Sequence, residues 1–173
     1  MESTTRLILG FPGTGVETIP SVSSSIWIRL HLSQNKASNV PTLIEQIVSA
    51  YDTRLFKFIF VLATVDICKA IPKNILDSTY LVVPNKDIRD EYLDRLTKYE
   101  YDELFIRHMK SKFGKNITRT ERSLTEGNIV RLNSKESVLT LVRELYERDN
   151  NEIRSRHHRI SGLSRGRENT LHG

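Results

Sequence analysis

The stretch Thr5-Arg6-Leu7-Ile8-Leu9-Gly10-Phe11-Pro12-Gly13-Thr14-Gly15-Val16-Glu17-Thr18 decides how the rest of the chain is read. Thr5 to Leu9 is a short, mostly apolar run that reads as a strand and closes on Gly10. Three glycines and a proline among the six residues from Gly10 to Gly15 make a tight turn. Pro20 stands where a following helix would be under way, so any helix after the turn is short or absent. A strand ending in a glycine-rich turn is the setting of a phosphate-binding loop, in which successive backbone N–H groups point into one concavity. Such a loop reads G-x-x-x-x-G-K-[ST], with the lysine on the β/γ-phosphates and the hydroxyl on Mg²⁺. Gly10 and Gly15 supply the two glycines, but Val16 replaces the lysine, Glu17 replaces the hydroxyl, and Thr18 comes one place late. At ~4 Å and an effective dielectric of ~20, each such charge contact is worth on the order of 4 kcal/mol, and here its sign turns from attraction to repulsion.

Outward from this loop, strands and helices alternate. Ile26, Ile28, Leu30 and Leu32 alternate with Trp27, Arg29 and His31, the period-2 signal of a strand. Pro41 suits the start of a helix that gathers Leu43, Ile44, Ile47, Val48 and Tyr51 on one face. Leu55 to Ala63 is nearly continuous apolar sequence, as in a strand covered on both faces of a parallel sheet. Thr79 to Val83 is a further short strand, stopped by Pro84. Ile88, Tyr92, Leu93 and Leu96 predict one helix, and Leu104, Phe105, His108 and Met109 the next. Lys112 to Thr125 is polar and basic. Ile129 to Leu132 predicts the last strand, and Ser134 is placed to cap a helix carrying Val138, Leu141, Val142 and Leu145. The expectation is an α/β fold, a three-layer sandwich with a mostly parallel sheet of about five strands. It forms one domain over residues 1–150, followed by a basic, disordered tail over 151–173.

Composition bounds what such a domain does. Leu, Ile, Val and Phe make up 52 of 173 residues, roughly 30% against the ~20% below which chains tend to stay disordered. The longest apolar run, Phe58 to Ala63, is far short of the ~20 residues of a membrane helix. Pro12 arrives before any signal-peptide stretch develops, so the expected location is the cytoplasm, that of the host if the protein is viral. Cys68 is the single cysteine, which excludes an internal disulfide and any multi-cysteine metal site. The net charge of +5 is concentrated in two places. Arg107, Lys110, Lys112, Lys115, Arg119 and Arg122 face only Glu121 between residues 107 and 122, and Arg154, Arg156, Arg159, Arg165 and Arg167 face only Glu168 between residues 154 and 173. The remainder is mildly acidic. Basic patches of this kind favour phosphate-bearing partners through counterion release, although arginine-rich tails also serve solubility.

The motifs follow one another in an order that carries more information than any one of them. After Gly10-Phe11-Pro12-Gly13-Thr14-Gly15 come Ser21-Val22-Ser23-Ser24-Ser25-Ile26-Trp27, Pro41 with Ile44-Glu45-Gln46-Ile47, and Phe58-Ile59-Phe60-Val61-Leu62-Ala63-Thr64. Val82-Val83-Pro84-Asn85-Lys86-Asp87 leads into Asp90-Glu91-Tyr92-Leu93, and Glu103-Leu104-Phe105-Ile106 and Ile129-Val130-Arg131-Leu132 complete the series. Over about residues 5–148 this order resembles a family of phage and bacterial P-loop proteins similar to small nucleotide kinases. The resemblance implies a kinase-like fold with Gly10, Gly13, Thr14, Gly15 and Thr18 as the remnant of its phosphate loop. It also implies a phosphate-contacting lid near Arg107 to Arg122. The departures all concern chemistry: the loop lysine and hydroxyl, the aspartate-rich stretch that would organise a metal, and a basic–glycine pair that here reads Lys98-Tyr99-Glu100.

The expectation that follows is a catalytically degenerate P-loop kinase-like protein, leaning away from an enzyme, that acts by binding a phosphate-bearing ligand, nucleic acid or a protein partner. No catalytic residue, metal or cofactor is assigned. One alternative is an active nucleotide kinase or NTPase using ATP and Mg²⁺ with a relocated base such as Lys36 or Arg119. Another is a purely structural or accessory viral protein. Among isolated candidates, His157 and His158 read as solvated, His108 as structural, and Cys68 as packing rather than a nucleophile. Asp66 follows the central strand, at the end of the sheet where ligands sit.

Overall fold

A computed structural model describes residues 4–21, 23–32 and 39–165, with side chains to residue 160. Five strands, β1 (Arg6–Gly10), β2 (Trp27–Leu30), β3 (Phe58–Leu62), β4 (Thr79–Pro84) and β5 (Asn128–Leu132), form one sheet in the order β2-β3-β1-β4-β5. Every pairing is parallel. The first strand in sequence is therefore central, with Ile8 beside Phe60 on one side and Tyr80 on the other. Helices α1 (Asn39–Thr53), α2 (Val65–Ala70), α3 (Arg89–Lys98) and α4 (Glu103–Ser123) join the strands.

Strand residues alternate between the two sheet faces. Leu7, Leu9, Ile59, Val61, Leu81 and Val83 belong to the main apolar cluster, together with Leu43 and Ile47 of α1, Ile67 and Cys68 of α2, Tyr92 and Leu96 of α3, and Met109, Phe113 and Ile117 of α4. Ile8, Phe58, Phe60 and Val82 point the other way and are equally buried. Both faces of the sheet are thus covered, as the continuous apolar sequence of β3 predicts.

Local signals set the ends of the elements. Thr64 caps α2 by accepting from the Ile67 N–H at 3.2 Å, and Asp102 caps α4 by accepting from Phe105 at 2.8 Å. After the glycine turn only one 3₁₀ turn forms, Val16–Thr18, and the chain is extended again at Ile19 before Pro20.

Four expectations are corrected. The basic segment from Lys112 is helix: α4 runs on to Ser123 because Met109, Phe113 and Ile117 continue its buried face at intervals of four. It kinks at Lys112 (φ −126°, ψ 22°), where the Arg89 guanidinium takes the Lys110 carbonyl at 2.7 Å. His108 and Leu104 lie on its exposed side, not in the core. Ser134 caps no helix, because its hydroxyl is engaged by Glu91 and Lys135 takes a positive φ of 64°. The last helix, α5 (Val138–Arg165), begins four residues later and runs into the segment expected to be disordered as far as Arg165, including Arg154, Arg156 and Arg159, while residues 166–173 lie outside the described residues. The chain divides into two compact units after Val138, so α5 from Leu139 onward is a unit of its own. Arg167 and Lys36 lie outside the described residues. Among the described residues, no helix is long and apolar enough to cross a membrane.

Candidate functional site

β1 hands the chain to β2 on one side of the sheet, whereas β4 hands it to β5 on the other. The connections diverge at the carboxyl ends of β1 and β4, where open α/β sheets form a ligand crevice. The glycine loop sits there. It is anchored by the Phe11 N–H donating to the Val82 carbonyl at 2.9 Å, and its Thr14 carbonyl accepts from the Val138 N–H at 2.8 Å. Gly10 passes so close to Val16 that a Cβ would lie 2.1 Å from Cγ2 of that residue. Gly13 and Gly15 take positive φ values of 85° and 102°, which only glycine adopts readily.

The backbone N–H groups of the loop are engaged from within. The Glu17 carboxylate folds back, accepting from the Gly13 N–H through Oε1 and from the Gly15 N–H through Oε2 at 3.1 Å. The Tyr101 hydroxyl donates to the same Oε1 at 2.6 Å. Burial, followed by this bond to Glu17, pushes the Tyr101 pKa up, so its hydroxyl remains a donor. The sequence implies that Glu17 repels phosphate; the structure shows in addition that it takes the donors for itself. Both hydroxyls of the loop are also spent on its own carbonyls, Thr14 on Phe11 and Thr18 on Gly15, each at 2.6 Å. Behind the loop, Phe11, Tyr92 and Phe113 pack ring against ring, with centroids 6.0 and 5.0 Å apart. The Tyr92 hydroxyl is buried without a hydrogen-bond partner.

An open groove of about 700 Å³ lies elsewhere and includes no loop residue. Its cations come from three elements: Lys69 of α2, Lys86 just after β4, and Lys115, Arg119 and Arg122 of α4. Val65, Gly114, Thr118 and Ser123 complete the lining, and none of the nine is acidic. α2 follows β3 and Lys86 follows β4, so the groove opens at the carboxyl ends of the strands. Lys86 Nζ donates to Thr118 Oγ1 at 2.8 Å, which holds one ammonium at the groove wall.

Half of the expected basic patch therefore converges. Lys115, Arg119 and Arg122 face the groove, whereas Arg107, Lys110 and Lys112 are exposed without lining it. Lys69 and Lys86 belong to no basic run and escape a search for one. Their signal is position: Lys86 stands two residues beyond the end of β4, and Lys69 lies in the short helix that follows β3. Asp66 is exposed at the start of α2 and does not line the groove. Cys68 is buried among apolar residues, and burial pushes its thiol pKa up, as packing rather than nucleophilic use requires. Among the described residues, no group of three His, Cys, Asp or Glu could hold a metal ion.

Compared with known proteins, the chain matches no family, no curated protein and no solved structure. Function is therefore read from the geometry alone. That geometry offers an occupied loop whose Gly13 and Gly15 donors are already taken, and an open groove whose charge suits a phosphate.

Proposed function

We propose that this chain is a catalytically degenerate protein on a three-layer, P-loop kinase-like scaffold, and that it acts by binding single-stranded nucleic acid through the groove between α2 and α4. The observation that carries this reading is the convergence of Lys69, Lys86, Lys115, Arg119 and Arg122 on one groove with no carboxylate in its lining. Five like charges from three separate elements repel one another, and a polyanion relieves that repulsion while releasing its own counterions. Lys115, Arg119 and Arg122 recur at four and three residues along α4, so they follow one line about 10 Å long at the helical rise of ~1.5 Å per residue. A line of cations suits a chain of phosphates better than a single compact anion. No aromatic side chain lines the groove, so recognition goes through phosphates and carries little base information. The loss of phosphoryl-transfer chemistry is supported by Val16 in the lysine position and by Glu17 in the cradle.

The test is filter binding of a labelled single-stranded RNA at low and at physiological salt. Wild type binds with an affinity that falls steeply with salt, at about −0.7 in log–log slope for each phosphate neutralised. The triple variant Lys115→Ala, Arg119→Ala, Arg122→Ala binds more weakly and with a flatter slope, by similar amounts for unrelated sequences. Equal binding by wild type and triple variant overturns this reading and makes a protein partner the better one.

A further inference from the structure

α5 is a 28-residue helix, and every residue from Asn151 to Ile160 is exposed. Helices in water draw most of their stability from covering an amphipathic face rather than from intrinsic propensity. Along α5 the side chains that ask for cover are regularly placed. Leu139, Tyr146, Ile153 and Ile160 recur every seven residues and are 46, 39, 39 and 63% exposed. Seven residues are nearly two helical turns, so these four form one narrow apolar stripe that drifts only ~20° per step along the helix.

The charges select the partner. Between residues 138 and 152 the helix carries Glu144, Glu147, Asp149 and Glu152 against Arg143 and Arg148; from 153 to 165 it carries Arg154, Arg156, Arg159 and Arg165 and no acid. The helix is thus acidic in its first half and basic in its second. A parallel copy sets like charge on like, which opposes pairing. An antiparallel copy crossing at Ile153 sets Tyr146 of each chain opposite Ile160 of the other, and brings Asp149 and Glu152 beside Arg156 and Arg159 of the other. We propose that α5 pairs antiparallel with α5 of a second copy of this chain, with Ile153 at the two-fold axis. Such an interface is self-complementary and closes at two subunits. Nucleic acid along the same helix explains its basic half but meets the acidic half unfavourably and leaves the apolar stripe uncovered. This pairing is independent of the groove, which belongs to the other compact unit.

Sedimentation velocity on the full chain over a range of concentrations tests it. Wild type shows a concentration-dependent shift from monomer to dimer, which weakens at high salt. Ile153→Asp remains a monomer throughout. The acid-reversed variant Asp149→Arg, Glu152→Arg and the base-reversed variant Arg156→Glu, Arg159→Glu are each monomeric alone, and an equimolar mixture of the two forms a dimer. Of these five positions Asp149 is half-buried and the other four are exposed, and an unchanged melting temperature of each variant's monomer verifies its fold. A wild type that stays monomeric at the highest concentration, a dimer untouched by Ile153→Asp, or a mixture that fails to associate overturns the proposal.

Discussion

The Tyr101 hydroxyl donates to Glu17 Oε1 at 2.6 Å across 84 positions of sequence, tying the segment before α4 to the turn after β1. The Tyr101 ring is held for this by stacking on Phe105, 4.9 Å between centroids. Tyr101→Phe keeps the ring and removes the donor. Hydrogen bonds to charged groups contribute about 1.5–3 kcal/mol, so the variant should lose stability on that scale. Urea unfolding of both proteins measures it; a loss below a few tenths of a kcal/mol contradicts the importance given to this bond.

Millimolar Mg-ATP should leave the melting temperature of wild type unchanged, because the Gly13 and Gly15 N–H groups are already given to Glu17. A ligand at 100 times its dissociation constant adds ~2.7 kcal/mol, which a thermal scan reads easily. Glu17→Ala vacates the two donors, and inorganic phosphate or pyrophosphate should then raise the melting temperature of that variant but not of wild type. A Mg-ATP shift in wild type shows that the loop is not closed to phosphate.

Glu91 makes stability depend on acid. The Lys135 backbone N–H, then the Ser134 hydroxyl and the Arg95 guanidinium, hold its pKa down to about 2 from an ordinary 4.5. A carboxylate whose pKa falls on folding stabilises the fold above its unfolded value and loses that contribution as pH drops through the folded one. The advantage of wild type over Glu91→Gln should therefore be complete above pH 4.5 and shrink toward pH 2. Melting temperatures of the two proteins across this window check the sign. About a third of the Glu91 side chain reaches water, which keeps the effect small.

Gly13→Ala should be costly on two counts. Its φ of 85° is left-handed, worth about 1–2 kcal/mol against an L-residue. A Cβ there would also stand 2.5 Å from Tyr92 Cε2, and overpacking adds about 1–3 kcal/mol. Chemical denaturation reads the sum; a loss below about 1 kcal/mol, the lower bound of either effect alone, means that the loop relaxes in a way its packing does not suggest.

Much of this fold is written locally. Phe58 to Leu62 announces a strand covered on both faces, Pro84 marks a strand end, and Pro20 stops the helix after the loop, because each depends on residues next to it. α4 beyond Lys112 is also legible in the spacing of Met109, Phe113 and Ile117, but the density of lysine and arginine between them masks a face only one residue wide. The same holds for α5, where a 3.6-residue search finds nothing after Arg154 and a seven-residue interval does. The site is another matter. That Glu17 turns into the loop follows from the φ values at Gly13 and Gly15 and from Tyr101, none of which its neighbours specify. Lys69 and Lys86 join Arg119 only because β3 and β4 flank β1 in the sheet, a relation set by the whole topology.

That sheet order also bears on how the chain comes to be folded during synthesis. β1 leaves the ribosome before the other strands, yet its two neighbours, β3 and β4, are complete only at Leu62 and Pro84. Until then Leu7, Ile8 and Leu9 have no strand beside them, and β2, the next to emerge, pairs with β3 alone. The centre of the sheet is thus assembled from segments far apart in the chain (Ile8 beside Phe60, for example), and the loop closure this requires precedes any gain from pairing. A nascent chain halted before Phe58 holds β1 as an unpaired apolar strand, the kind of segment that chaperones bind and that aggregates when they do not.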